Sequence, residues 1–271
     1  MIADYHMHPR GPGESIEHTL ETVERYVEVA RQRGIDEIGF TEHIYYFRET
    51  LDFWTVPYQY ERCVYGLDAY CDSVLEAKRL GLPVKLGLEV DWVPGSVEAL
   101  AELLGSYAWD YLLGSIHYVD GLGIDSRPTL IEELGAERAW ERYFDDLALL
   151  AVSGLVDVLA HPDLIKFFGR RVDELLLNRI HDRFIGLLGD TGVALEISTA
   201  GRYKPIGELY PDRALLERGL ARGVPITLAS DAHASENVGR DLEQAIALAR
   251  DVGYTTITIF EGRQGRQELL G

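Results

Sequence analysis

The chain has 271 residues, 46% hydrophobic and 26% charged, which supports a large buried core and excludes wholesale disorder. Its 26 Lys and Arg stand against 45 Asp and Glu, a net charge of −19. Such a field repels phosphate backbones and anionic lipid, so general nucleic-acid or membrane-surface binding is disfavoured. A small anion remains acceptable where bound divalent cations reverse the sign locally. Cys63 and Cys71 are too few for a disulfide framework and read as buried thiols of a reducing compartment. The first ten residues, MIADYHMHPR, hold no apolar signal region, and no apolar run of about eighteen residues follows. The expectation is a cytoplasmic globular protein.

Short apolar runs alternate with amphipathic stretches along the whole chain. Ile2–Tyr5 is the first run, followed by a helical face of Ile16, Leu20, Val23, Val27 and Ala30, with Ser15 as cap and Gly34 as stop. Glu37–Phe40, Val84–Leu88 and Tyr111–Ile116 come next, separated by helical patterns over Tyr60–Leu80 and Val97–Leu104. The second half continues with Arg138–Ala151, Leu155–Ala160, Val172–Leu188, Val193–Ile197, Ala214–Leu220, Pro225–Ala229, Leu242–Ala249 and Thr255–Phe260. This alternation predicts a parallel sheet, and the number of βα units in a chain of this length favours closure into a barrel. No linker-like tract divides residues 1–271, which read as a single domain.

In a parallel barrel, functional side chains sit at the C-terminal ends of the strands. The residues found there are Asp4-Tyr5-His6-Met7-His8, Thr41-Glu42-His43, Leu88-Glu89-Val90-Asp91, Gly114-Ser115-Ile116-His117, His161-Pro162-Asp163, Glu196-Ile197-Ser198 and Ser230-Asp231-Ala232-His233. Six of the eight histidines stand at these points; His18 and His181 fall in helical patterns and read as solvated residues on polar faces. His6 and His8, like Asp231 and His233, share the period-two spacing that aims both side chains to one side of an extended segment. Imidazoles with carboxylates suit zinc, iron or manganese, and a shared carboxylate lets two or more cations occupy one cleft. A metal-free glycosidase built on Glu89 and Asp91 would leave the histidines without a role. No GxSxG elbow and no dinucleotide glycine fingerprint is present.

The order HxH, TEH, GLE, GSIH, HPD, EIS and SDAH, running from Asp4 to His233, resembles the PHP (polymerase and histidinol phosphatase) family. The resemblance implies an α/β fold, a distorted (β/α)7 barrel, with Thr255–Phe260 lying outside the closed ring. It implies phosphate-ester hydrolysis at a centre of two to three divalent transition-metal ions. By position, His6, His8 and Asp231 correspond to ligands of a first metal, Glu89 to a bridging carboxylate, His117 and His161 to ligands of a second, and His43 and His233 to ligands of a third. Where the family has a further histidine, this chain has Glu14, so the resemblance implies Glu14 as an oxygen ligand and leaves the metal count open.

The stretch from Gly114 to Gly121 resembles the GSxHxxDG signature of the histidinol-phosphate phosphatases, and Glu196–Pro205 followed by Glu208-Leu209-Tyr210-Pro211 resembles another of their segments. The implied reaction is L-histidinol phosphate plus water giving L-histidinol and phosphate. Arg202 is the expected phosphate clamp because its guanidinium can bind in a fork, with Lys166 next and Arg170 and Lys204 behind them. Asp120 is a candidate for contact with the substrate's amine or imidazole. Asp163 or His233 would protonate the leaving alcohol, alongside Glu89 at the metals. Tyr45, Tyr46, Phe47, Phe53 and Trp54 form an aromatic loop able to cover the imidazole. The alternatives are another phosphomonoester, a phosphodiester or nucleic acid, and a non-catalytic metal-binding module.

Overall fold

Backbone pairing turns the apolar runs into short strands and the amphipathic stretches into helices, and the computed structural model describes all residues 1–271. The first half contains β1 (Ala3–Asp4), α1 (Leu20–Gln32), β2 (Glu37–Phe40), α2 (Pro57–Tyr60), α3 (Leu67–Arg79), β3 (Val84–Leu86), β4 (Glu89–Asp91), α4 (Val97–Leu104) and β5 (Leu113–Ser115). A small hairpin of β6 (Tyr118–Val119) and β7 (Leu122–Gly123) leads into α5 (Thr129–Leu134) and α6 (Ala136–Val152). Then come β8 (Val158–Leu159), α7 (Glu174–Leu188), β9 (Ala194–Ser198), α8 (Arg213–Ala221), β10 (Ile226–Ala229) and α9 (Leu242–Val252). The chain ends with the antiparallel pair β11 (Thr256–Glu261) and β12 (Gln264–Leu269).

Two parallel arrays, β1-β2-β3 and β10-β9-β8-β5-β4, account for the sheet. Strands β3 and β4 are successive pieces of one strand position, interrupted at Gly87 and Leu88. The Gly87 amide donates to the Phe40 carbonyl at 2.8 Å and the Glu89 amide to the Glu42 carbonyl at 3.0 Å, so both pieces follow the same neighbour. A Cβ at residue 87 would lie 2.8 Å from both the Thr41 methyl and the Tyr111 ring, so only glycine fits this break. At the other seam the Tyr5 amide donates to Leu228 at 3.0 Å and the His8 amide to Ala232 at 2.8 Å. These bonds join β1 to β10, and seven parallel strand positions close into a distorted α/β ring. The β11–β12 pair stands outside it; the Phe260 amide donates to the Tyr5 hydroxyl at 3.3 Å.

Asp4 fastens the same seam. Its buried carboxylate accepts the Ser230 amide at 2.8 Å, the Ser230 hydroxyl at 2.5 Å and the Gly239 amide at 2.7 Å. Burial nonetheless pushes its carboxyl up to about 6, against those donors.

Two histidines depart from the expected placement. Helix α1 begins later than the Ser15 cap implies, because Pro12–Glu14 form a separate 3-10 turn and the Thr19 hydroxyl accepts the Thr22 amide. His18 therefore precedes the helix and is enclosed by Phe47, Tyr65 and Tyr70, with Nε2 3.5 Å from Glu42 Oε2. His181 lies on α7 but is fully buried against Phe144, while Leu175 and Leu187 of the same helix face solvent. The packing of α7 on α6 selects a face that the leucine pattern alone does not reveal.

Candidate metal centre and the cavity above it

The ring gathers the strand-end residues at one mouth. His6 Nε2 lies 3.5 Å from Glu89 Oε1 and 3.6 Å from Asp231 Oδ1. His8 Nε2 lies 3.3 Å from Asp231 Oδ1 and 3.8 Å from Glu89 Oε2. Across the floor, His161 Nε2 is 3.1 Å and His117 Nε2 is 3.6 Å from Glu89 Oε1. His43 Nδ1 lies 2.5 Å from Glu89 Oε2, and the His233 ring stacks 4.1 Å from that of His8. Glu89 is thus central, supplied by β4, and His161 and Asp231 are carried by non-glycine residues at φ of 30° and 52°. Such left-handed backbone is tolerated where tertiary structure holds it, commonly at functional sites.

Behind three of these histidines stand carboxylates. Glu196 Oε2 is 2.9 Å from His6 Nδ1, Glu42 Oε1 is 3.0 Å from His8 Nδ1, and Asp91 Oδ1 is 2.5 Å from His117 Nδ1. Each fixes the ring and its tautomer, leaving Nε2 to face the centre. Burial disfavours a charged His6, yet Glu196, Glu89 and Asp231 raise its proton affinity well above the usual range. Burial likewise opposes a charged His117, while Asp91 and Glu89 hold its pKa up at about 10. Glu89 and Asp231 are held well below the carboxylate range by the surrounding imidazoles, against the effect of burial. Burial and the neighbouring His233 push His8 down.

The donor set fits divalent cations. With their Nδ1 protons committed to carboxylates, the His6 and His8 Nε2 lone pairs face each other at 3.2 Å, an arrangement that repels unless a cation lies beside both. His161 Nδ1 is buried without a hydrogen-bond partner, and Glu89 Oε2 makes no contact of hydrogen-bonding geometry although His43 Nδ1 lies 2.5 Å from it. Ligand atoms of His6, His8 and Asp231 converge, as do those of His6, Glu89 and His161, of His43, Glu89 and His117, and of His8, His43 and His233. Two sets containing Glu89 give a carboxylate that can serve two ions.

A cavity of about 320 Å³ opens above this floor, within the range of small-molecule sites. Tyr45, Tyr46, Tyr58 and Tyr118 form one side, while Leu164, Phe167 and Tyr210 form another. Asp125 and Ser126 supply polar groups, and Lys204 is the one lysine or arginine in the lining.

Residues 4–200 match the PHP domain family. A probable histidinol-phosphatase of Deinococcus radiodurans is 32% identical over 95% of this chain and 96% of its own length. The chain belongs to the PHP family. A probable histidinol-phosphatase of Schizosaccharomyces pombe is 29% identical over 90% of this chain and 85% of its own. The crystal structure of the Lactococcus lactis histidinol phosphate phosphatase, complexed with zinc, L-histidinol and phosphate, superimposes with a TM-score of 0.79 at 19% identity, covering 98% of both chains. It shares the PHP fold of this chain.

Within this PHP barrel, several candidate residues lie away from the floor and the cavity. Glu14 is exposed on its 3-10 turn and joins none of the ligand groups. Arg202 reaches sideways over the surface, with Nε 2.8 Å from Asp241 and NH1 on Gln244. Lys166 is wholly buried, donating to the Leu209 carbonyl at 2.8 Å and to Asp212 at 2.6 Å, and lying 2.8 Å from Asp163. Asp163 accepts the Asp212 amide at 2.7 Å, and burial pushes its carboxyl up to about 6 despite Lys166; neither residue lines the cavity. This pair ties the loop after β8 to the loop carrying Tyr210. Asp120 is exposed and pairs with Arg142 at 2.9 Å, and Arg170 is exposed as well. Of the aromatic loop, Tyr45 and Tyr46 face the cavity, while Phe47 is buried in the core and Trp54 donates to Thr50. Asp125 and Ser126 escaped sequence reasoning, and their only signal is a position just beyond the β6–β7 hairpin. The supporting role of Glu42, Asp91 and Glu196 escaped it too, although each stands within one of the strand-end motifs.

Proposed function

We propose that this chain is a metal-dependent phosphomonoesterase that hydrolyses L-histidinol phosphate to L-histidinol and phosphate, a cytoplasmic step of histidine synthesis. The observation that carries the proposal is a floor of six histidines bridged by Glu89 beneath a cavity whose wall offers aromatic rings, one lysine and one aspartate. The names of the Deinococcus and fission-yeast relatives, and the ligands of the Lactococcus structure, support the choice of substrate. His6, His8 and Asp231 would hold one ion and His117 and His161 another, with Glu89 between them. Ions held there supply a hydroxide near neutral pH and offset the charge of a phosphate dianion.

The chain's own groups do the rest. Lys204 lies where a phosphate oxygen can accept its ammonium, and it replaces Arg202 as the clamp in this reading. Tyr45, Tyr46, Tyr58 and Tyr118 give flat faces for an imidazole. Asp125 and Ser126 can accept hydrogen bonds from the substrate's amine. His233, half-exposed in the cavity lining, takes the role of donor to the leaving oxygen, because Asp163 is held by Lys166 and Asp212 away from the cavity.

The test is a comparison of kcat/KM across phosphomonoesters and bis(p-nitrophenyl) phosphate, using metal-replete protein. Histidinol phosphate should lead, and the diester should be slow. Preference for another monoester would overturn the substrate assignment, and hydrolysis of none would overturn the enzyme reading.

A further inference from the structure

A carboxylate that backs a metal-binding imidazole has two oxygens, and it aims the ring best when the second is held as well. Glu42 gives Oε1 to His8 and is gripped at both oxygens by the Arg10 guanidinium. Glu196 gives Oε2 to His6, while its Oε1 accepts the His161 amide at 2.9 Å. Both holding groups belong to the strand-end segments themselves.

Asp91 is held differently. Its Oδ1 is 2.5 Å from His117 Nδ1, and its Oδ2 accepts from the Gln59 carboxamide, with Nε2 at 3.1 Å. Asp91 and Gln59 are both buried. A carboxylate has no proton to give, so the nitrogen of the carboxamide must face it. Beside Asp91 lies a cavity of about 130 Å³, whose lining includes Gln59, Trp92 and Tyr118. Packing is incomplete on that side, and the hydrogen bond from Gln59 supplies the restraint.

Gln59 comes from the aromatic segment rather than from a strand end. It lies on α2, where Pro57 starts the short helix and the Gln59 carbonyl accepts the Arg62 amide at 3.0 Å. Tyr58 of the same helix lines the cavity above the floor, with its ring 6.0 Å from that of Tyr45. Neighbouring side chains of α2 thus serve the wall and the support of the floor.

We propose that Gln59 is a positioning residue of the metal centre: through Asp91 it holds His117 Nε2 toward its ion. This rests on the metal-centre reading above and adds to it a group outside every strand-end motif. Gln59 does not line the cavity above the floor, so its effect falls on the ion rather than on the substrate.

The test is dialysis of Mn²⁺-loaded protein against buffers of graded free Mn²⁺, with the bound metal counted and circular dichroism confirming that each variant is folded. Gln59→Met and Gln59→Leu, which lack the donor, should each raise the free Mn²⁺ needed to keep one equivalent by about 10-fold, the low end for groups that support a ligand. Gln59→Met added to His117→Ala should cause no further shift, because the residue through which Gln59 acts is gone. An equal shift in both backgrounds would reduce Gln59 to a packing residue, and no shift in the folded single variants would equally overturn the inference; either result leaves the metal centre intact. Fewer than one equivalent in folded wild type would overturn both.

Discussion

The floor of the site and the wall above it are built by opposite means. Every histidine and carboxylate of the floor lies in a strand or within four residues of its C-terminal end, and most are buried; Glu89, Glu196, His6 and His8 are at most 1% exposed. Their directions are set by the parallel register and locked by hydrogen bonds from a second layer of carboxylates. The wall is made by the segments that connect the barrel strands, with Lys204, Asp125 and Ser126 all exposed. The difference separates two tasks: the floor concentrates charge in a rigid frame, and the wall selects what is presented to it.

Removing the centre of the floor should have the largest effect. Glu89→Ala takes away the carboxylate shared by His6, His43, His117 and His161, and should lose about 4 kcal/mol of transition-state stabilisation, roughly a thousandfold in kcat. Metal content measured alongside should fall below that of wild type. Glu196→Gln, which keeps the volume but removes the charge behind His6, should weaken metal affinity by about 10- to 100-fold. Equal metal retention in both variants and wild type would mean that the floor is not a metal centre.

The wall should respond more mildly and without loss of metal. Lys204→Ala removes a charge-assisted hydrogen bond worth about 1.5–3 kcal/mol, or roughly 10- to 150-fold in kcat/KM. Arg202→Ala breaks only the surface contacts to Asp241 and Gln244 and should stay within about twofold. The reverse order of the two variants, at unchanged metal content, would return the clamp to Arg202.

The smallest effect on activity is expected at a buried histidine that the floor does not use, whose influence falls on stability instead. His181 has both ring nitrogens unpartnered, and burial pushes its pKa down to about 4 from the ordinary 6.5. The unfolded chain therefore takes up this proton below pH 6.5 while the folded chain does not. The stability from a neutral His181 is full above pH 6.5 and is lost as pH falls from 6.5 to about 4. By linkage the loss is at most about 3 kcal/mol. His181→Leu should remove that part of the acid sensitivity, read as a smaller drop in Tm between pH 7.5 and 5 than in wild type. An identical drop would show that the ring gains a partner in solution.

How far these features could be read from sequence follows the same division. Segments such as Glu37–Phe40 and Val97–Leu104 form the expected elements residue for residue, because apolar patterning there coincides with burial. The convergence of the strand-end residues was legible for a related reason: a parallel ring brings equivalent ends together whatever the loops do. Loop side chains carry no such constraint. Arg202 is captured by Asp241, thirty-nine residues further on, and Lys166 by Asp212, and neither pairing leaves a mark in local sequence. Glu14 turns to solvent because Gly13 and Glu14 both adopt left-handed backbone, at φ of 70° and 63°, and carry the turn away from the floor.

The seam fastened by Asp4 and Ser230 joins positions 226 residues apart, and the metal-ligating candidates straddle it, with His6 and His8 on one side and Asp231 and His233 on the other. During synthesis the first two histidines leave the ribosome long before their partners exist. A nascent or truncated chain lacking residue 231 carries His6 and His8 without the Asp231 carboxylate that converges on both. The first ligand set is thereby complete only once the two ends of the ring have met, so its geometry reports closure of the barrel.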